Sequence, residues 1–208
     1  MTENLQEHEL RDRLNLIESM IAEGRRGTVS WAWTFVLWGA AYYVAIAWST
    51  WGFGGPIWGS HVLAWPVTMI SASILTFFLA SRMNRKEKSP STTIGRAITA
   101  IWIAMGISMF ALLFPMGMSG RGDQQVYVAV VAAMLATANA ASSLILKWKA
   151  QFACAVVWWA AAACSCFGSQ LQSEIAFLVA IFFCQIVFGI YGMICEARER
   201  KQGGALHA

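Results

Sequence analysis

The chain has 208 residues, of which 58% are hydrophobic and only 12% are charged. An ordinary soluble domain carries about 25% charged residues, so a soluble fold of this length could not bury so much apolar surface, whereas lipid itself solvates an all-α integral membrane protein. The net charge of +4 does not indicate nucleic-acid binding, because the basic residues flank apolar stretches, where membrane topology and lipid headgroups account for them.

Residues 1–28 predict a cytoplasmic amphipathic helix. Its apolar residues follow a spacing of four, three and four, which lines one helical face: Leu10, Leu14, Ile17 and Ile21. The segment carries more acidic residues than arginines, whereas helices that lie on anionic membranes are usually rich in Lys and Arg. We therefore expect this face to bind a cytoplasmic protein partner. The alternative is a solvated helix that only leads into the membrane.

Six uncharged stretches follow within residues 29–196. Each is close to the roughly 20 residues that a helix needs to cross a bilayer. They span residues 31–49, 62–81, 97–116, 126–146, 152–168 and 175–195. The connections are short, so the sequence predicts a six-helix transmembrane bundle of three hairpins, followed by a flexible cytoplasmic tail over residues 197–208.

The basic residues predict the orientation of these crossings. All Lys and Arg residues except Arg121 lie in the N-terminal segment, the second and fourth connections and the C-terminal tail. Basic residues favour the cytoplasmic side, so we expect both termini to be cytoplasmic. Neither a cleavable secretory signal nor an organelle address is apparent, which favours a bacterial inner membrane, with a eukaryotic membrane as the alternative.

Small residues mark the fourth stretch as a close-packing helix. They recur every four residues along two adjacent rows: Ala129, Ala133 and Thr137, and Ala132, Ala136 and Ala140. Such rows let membrane helices approach closely. We expect the fourth and fifth helices to lie inside the bundle or at a contact between copies in a homo-oligomer, with the lipid bilayer around them.

The sequence offers no recognisable catalytic, cofactor or metal site. No ionisable Asp, Glu, Lys, Arg or His lies deep within an apolar stretch, which argues against proton-coupled transporters, pumps and voltage sensors. Residues 117–120 read GMSG and residues 120–123 read GRGD, but neither protease-like string has the partner His or second Asp that such chemistry needs. The five cysteines form no C-x-x-C motif, and no facing histidines are available for haem. We expect no enzyme and no cofactor.

Neutral polar residues remain at depth. Asn139, Ser142 and Ser143 lie in the fourth stretch and Gln185 in the sixth. They predict either interhelical hydrogen bonds or the lining of a path, which would run at a subunit interface. The first interpretation suits a non-enzymatic sensor, scaffold or accessory subunit. The second suits a channel or facilitator for ions or small neutral solutes.

Overall fold

The computed structural model describes residues 2–51, 61–84, 93–119 and 123–205, which are helical apart from short turns. The helices are α1 (Thr2–Ser30), α2 (Ala32–Trp51), α3 (His61–Asn84), α4 (Thr93–Ser119), α5 (Gln124–Leu146), α6 (Lys149–Phe167), α7 (Gln170–Ile181), a π-helical segment (Phe182–Val187) and α8 (Phe188–Ala205). The last three run on without a break, and we call residues 170–205 the long rod. The tail predicted from residue 197 is thus helical as far as Ala205.

Five stretches of the described chain are long and apolar enough to cross a membrane, and they fall in α3, α4, α5, α6 and the long rod. The protein is therefore an all-α, multi-pass membrane protein by length and composition. Helix α2 has 20 residues but is not among the five. It is rich in Trp and Tyr, whose polar N–H and O–H groups make these rings less apolar than aliphatic side chains. The sixth crossing stays a prediction.

The long rod lies between α2 on one side and the α5–α6 hairpin on the other. Its contact with α2 depends on glycines. A Cβ added at Gly189 would lie 2.6 Å from Val36 Cγ2, and one added at Gly192 would lie 2.5 Å from Ala32 Cβ. No side chain fits at such separations, so these positions allow the two helix backbones to approach closely.

Helices α5 and α6 form a tight antiparallel hairpin. The turn between them needs a left-handed backbone at Lys147, where φ is 50°, and the N–H of Trp148 donates to Ser143 O at 2.9 Å. The row Ala132, Ala136 and Ala140 is buried, whereas Thr137 of the other row is exposed. The prediction that these two helices pack inside the bundle is therefore confirmed for one of the two small-residue rows.

Helices α3 and α4 lie at the periphery. Among the described elements α3 contacts α2 alone, and its Ile70, Ile74 and Phe77 are exposed. Helix α4 packs on α5, and its Trp102 meets Phe35 of α2 edge to face, with ring centroids 5.4 Å apart. Lipid solvates exposed aliphatic and aromatic side chains on membrane helices, so these two helices form much of the lipid-facing surface.

Helix α1 is docked only at its C-terminal end. It contacts α8, α4, α5 and α2. Gly24 is buried there, and a Cβ added to it would lie 2.6 Å from Ile94 Cγ2 and 3.3 Å from Leu146 Cδ2. Ile21 is half-buried, whereas Leu10, Leu14 and Ile17 are exposed. One apolar stripe thus begins on the bundle and continues away from it.

Candidate functional site

The four polar residues predicted at depth are all buried within the bundle of a single chain. Asn139, Ser142 and Ser143 are on α5, and Gln185 is in the π-helical segment; none is more than 3% exposed. The three α5 residues are buried because they lie on the faces of α5 that pack on other helices of the bundle. That these residues line a path at a subunit interface stays a prediction.

These residues do not form the interhelical hydrogen bonds that their polarity predicts. Asn139 Nδ2 donates to Leu135 O at 2.8 Å, and Ser143 Oγ donates to Ala140 O at 2.8 Å, both within α5. Asn139 Oδ1, Ser142 Oγ and Gln185 Oε1 are buried without a partner in the described part of the chain. Ser143 is therefore satisfied, and the other three residues each keep an unused polar atom.

The structure adds two residues that sequence reasoning missed. Gln151 and Trp158 of α6 are completely buried, and Gln151 Oε1, Gln151 Nε2 and Trp158 Nε1 have no hydrogen-bond partner among the described residues. Gln151 escaped notice because it lies just outside the predicted stretch of residues 152–168. A usable signal was present: Gln151 and Trp158 are seven residues apart and so share one helical face.

The helix bounds fix the level of these five residues along the bundle. Ser142 lies about one turn before the Lys147–Trp148 turn and Gln151 about one turn after it, so the two lie at similar levels of the hairpin. Asn139 lies one turn deeper than Ser142, and Trp158 lies about two turns deeper than Gln151. Cys184 Sγ donates to Cys154 O at 3.5 Å, which places the neighbouring Gln185 near the level of Cys154, and a Cβ added at Gly39 of α2 would lie 2.8 Å from Gln185 Cβ.

We call Asn139, Ser142, Gln151, Trp158 and Gln185 the unpaired cluster. The π-helical segment adds an extra residue to one turn of the rod, and both Cys184 and Gln185 are buried there. Interruptions of this kind occur frequently at functional sites. The cluster contains no Asp, Glu, Lys, Arg or His. The nearest basic residues, Lys147 and Lys149, are exposed at the turn.

A buried polar contact between α6 and α7 lies toward the end of α6 that is opposite Gln151. Ser173 Oγ donates to Ser165 Oγ at 2.8 Å, and Ser165 Oγ donates to Ala161 O at 2.9 Å. We call Ser165 and Ser173 the serine pair. Both side chains are buried, and both hydroxyl protons have an acceptor, so this contact is ordinary interhelical hydrogen bonding.

Beyond the serine pair, exposed polar residues join the N-terminal ends of α5 and α7. Gln124 Nε2 and Gln170 Nε2 both donate to Glu174 Oε1 at 3.1 Å. Gln125 Nε2 donates to Gly168 O at 3.0 Å. Asp123, the N-cap of α5, and Glu174 are far apart in sequence, and the fold places these two helix ends side by side. Arg121 lies outside the described residues.

The predicted partner face on α1 keeps its stripe in the structure. Leu10, Leu14 and Ile17 are 60%, 60% and 53% exposed, and Ile21 turns toward the bundle. Glu9 and Arg13 form an ion pair one turn apart on the exposed helix. The stripe and the unpaired cluster are separate features, and α1 reaches α5 near its last turn, where a Cβ added at Gly24 would lie 3.3 Å from Leu146 Cδ2.

All five cysteines are free thiols, and the described residues contain no group of three His, Cys, Asp or Glu side chains that could hold a metal ion. Cys164 and Cys166, which lie two residues apart near the end of α6, are therefore unbridged. Comparisons of this chain with protein-family models, with curated proteins and with solved structures find no match.

Proposed function

We propose that this protein is a non-enzymatic membrane scaffold, sensor or accessory subunit that recruits a cytoplasmic protein through α1. The observation that carries the proposal is the exposed stripe of Leu10, Leu14 and Ile17. Exposed apolar rows of this kind on a soluble helix typically mark a protein or membrane contact. Because Ile21 and Gly24 are held on the bundle, the stripe is presented in a fixed direction.

The charges beside the stripe favour a protein over a lipid surface. Glu9, Asp12 and Glu18 are exposed next to it, and the anionic lipids of a cytoplasmic leaflet would repel them. The partner that fits is a cytoplasmic protein with an apolar groove and a basic rim. An amphipathic helix that binds such a groove does so through residues at the spacing seen here.

The proposal includes an orientation. We infer six crossings, with α2 as the first, in a bacterial inner membrane with both termini in the cytoplasm. The support is the distribution of Lys and Arg in the sequence, together with the length of α2. In this arrangement α1 and the end of α8 lie together on the cytoplasmic side, where α1 meets its partner.

Site-specific photo-crosslinking along α1 in intact cells tests the recruiting role. A crosslinking residue replaces Leu14 on the stripe or Leu16, which lies about 200° around the helix. The two leucines are a matched pair, 60% and 61% exposed. We expect the same discrete crosslinked protein from positions 10, 14 and 17, and a yield at least about tenfold lower from position 16.

A charge substitution completes the test. Leu14→Glu should abolish the crosslink from position 17, and Leu16→Glu should leave it unchanged, because only the first places a carboxylate in the contact. Equal crosslinking from positions 14 and 16 would refute recruitment through this face. Loss of crosslinking in both charge variants would indicate general disruption of α1 and would also count against it.

A channel or facilitator is the second candidate, and the unpaired atoms of Asn139, Ser142 and Gln185 favour it. Polar atoms without partners inside a bundle suit the passage of a hydrogen-bonding solute. Solute and ion flux into liposomes that contain the purified protein tests this role. Flux above empty-liposome leak that falls in Gln185→Leu would support it, and silence across ions and small neutral solutes would exclude it.

A further inference from the structure

We propose that the place where α1 leaves the bundle is a binding site for one anionic phospholipid. Its headgroup phosphate is held by four basic residues, which we call the basic junction: Arg25, Lys147, Lys149 and Arg198. All four side chains are exposed, and they come from three segments that are far apart in sequence. The inference is independent of recruitment through the stripe on α1. It also goes beyond the overall distribution of Lys and Arg, which predicts a side of the membrane but no site.

Contacts between helix ends bring the three segments together. A Cβ added at Gly24 of α1 would lie 3.3 Å from Leu146 Cδ2 of α5, and each of these two residues immediately precedes a member of the basic junction. At the turn that follows α5, the ring of Trp148 lies 5.0 Å from that of Phe188 on α8. The turn between α5 and α6 therefore meets both α1 and α8.

One face of α8 completes the basic junction. Phe188, Tyr191, Cys195 and Arg198 recur at spacings of three, four and three, so they lie along one side of the helix. Tyr191 is close enough to both Arg25 and Arg198 to interact with them electrostatically. Phe188, which meets the α5–α6 turn, is about one turn from Tyr191. The two arginines and the turn that carries the two lysines therefore lie beside the same stretch of α8, within reach of long, flexible side chains.

The charge of the basic junction is not balanced within the chain. No ion pair joins any of its four residues to another described residue. The acidic residues nearest to them in sequence are Glu23 and Glu196, so the cations outnumber the carboxylates. An anion relieves the mutual repulsion of the cations, and a phosphate accepts two parallel hydrogen bonds from one guanidinium. A phosphate group is therefore the anion that suits the two arginines.

The apolar surface next to the basic junction favours a lipid over a soluble phosphate. Leu144 and Ile145, which come just before Lys147, are 69% and 36% exposed. Ile194, one turn before Arg198, is 47% exposed. All three belong to stretches that are long and apolar enough to cross a membrane, so acyl chains solvate them. Basic side chains at the ends of such stretches reach the headgroups of anionic lipids, and one phospholipid satisfies both surfaces.

Native mass spectrometry of the full chain in mixed micelles tests the proposal. The chain is offered equal amounts of phosphatidylglycerol, which is anionic, and phosphatidylcholine, which has no net charge, with matched acyl chains. We expect one phosphatidylglycerol per chain, bound at least about tenfold more tightly than phosphatidylcholine, since each Lys or Arg near a headgroup contributes about fivefold in affinity. Added salt should lower this preference, because it screens the charges. Inorganic phosphate at constant ionic strength should not displace the lipid.

Two arginine variants and a matched control make the test specific. Arg25→Gln and Arg198→Gln should each lower the preference for phosphatidylglycerol about three- to fivefold, and the double variant should abolish it. Either single variant suffices if the other fails to fold. Arg82→Gln is the control, because Arg82 is also exposed near a helix end, but its helix α3 contacts neither α1 nor α8 among the described elements. It should leave the preference unchanged within about twofold.

Three results would overturn the proposal. They are equal binding of the two lipids, equal losses in Arg198→Gln and Arg82→Gln, which would indicate a diffuse attraction to positive charge, and displacement by inorganic phosphate, which would assign the site to a soluble anion. The lipid measurement is separable from the crosslinking on α1. Leu14→Glu should leave the lipid preference as it is, and Arg198→Gln should leave the crosslink from position 17 as it is. Each proposal can fail while the other stands.

Discussion

The two ends of α6 differ in how their buried polar groups are satisfied. Near the start of α7, Ser173 Oγ donates to Ser165 Oγ and Ser165 Oγ donates to Ala161 O, so every hydroxyl proton has an acceptor. Near the Lys147–Trp148 turn, Gln151 lies completely buried with both of its polar atoms unused. The same helix therefore carries one satisfied polar contact and one unsatisfied buried group.

The difference teaches how polarity inside a membrane bundle should be interpreted. A hydrogen bond between membrane helices contributes about 0.6 kcal/mol on average, so a satisfied pair such as Ser165 and Ser173 is sufficiently explained by packing. An unpaired buried group costs about 1–3 kcal/mol. That cost has no compensating hydrogen bond at Gln151, whereas the serine pair does not incur it.

The largest effect is expected at Trp158, which lies between the two ends of α6. Trp158 is fully buried, and its ring lies 5.7 Å from that of Phe177. Trp158→Ala should lower the free energy of unfolding in mixed micelles by about 3 kcal/mol. This loss lies at the lower end of the range for truncation of a buried tryptophan, because a side chain that leaves the bundle for lipid loses mainly dispersion contacts.

Trp159→Ala is the matched control for that substitution. Trp159 is the next residue along α6 and is 42% exposed, so its truncation removes few contacts within the protein. We expect a loss of no more than about 0.5 kcal/mol. Similar losses for the two tryptophans would mean that Trp158 is not a central packing residue, and the separation of the two ends would lose its basis.

Much of the fold was predictable because the signals are local. The apolar stretch 126–146 and helix α5 both end at Leu146, since Lys147 follows and the turn begins there. The spacing of Ala132, Ala136 and Ala140 predicted close contact, and these residues are buried. The stripe on α1 was likewise predictable from its period.

The pairing of polar groups was not predictable from the sequence. Ser165 and Ser173 meet because of how α6 and the rod are rotated relative to each other, and no local pattern specifies that rotation. The π-helical segment adds a further shift of the rod, since one extra residue moves all later side chains by about 100° around the axis. Gln185 was therefore found at depth, but whether it had a partner depended on tertiary contacts.

The second effect has the opposite sign. Gln151→Leu removes two buried polar atoms that lack partners and keeps a side chain of similar size, so it should raise the free energy of unfolding by about 1–2 kcal/mol. We expect this gain in a membrane as well, because Gln151 lies near the end of α6 and its amide reaches the membrane–water interface when the helices separate. Unfolding of the wild type and the variant in mixed micelles measures it.

The same substitution elsewhere provides the control. Gln125→Leu deletes a hydrogen bond to Gly168 O and should lower stability by about 0.5–1.5 kcal/mol. If Gln151→Leu is destabilising, Gln151 already has a partner in the bundle, and the contrast between the two ends disappears.

The smallest effect belongs to the satisfied end. Ser173→Ala removes the donor to Ser165 Oγ, and Ser165 keeps its bond to Ala161 O, so no buried proton is left without an acceptor. The loss should be about 0.6 kcal/mol, as for other hydrogen bonds between membrane helices. Thr137→Val is the control, since Thr137 is exposed and bonds only within α5, and it should change stability by no more than about 0.5 kcal/mol. A loss near 2 kcal/mol for Ser173→Ala would make the serine pair a principal contact of the rod. A gain would place it in the same class as Gln151.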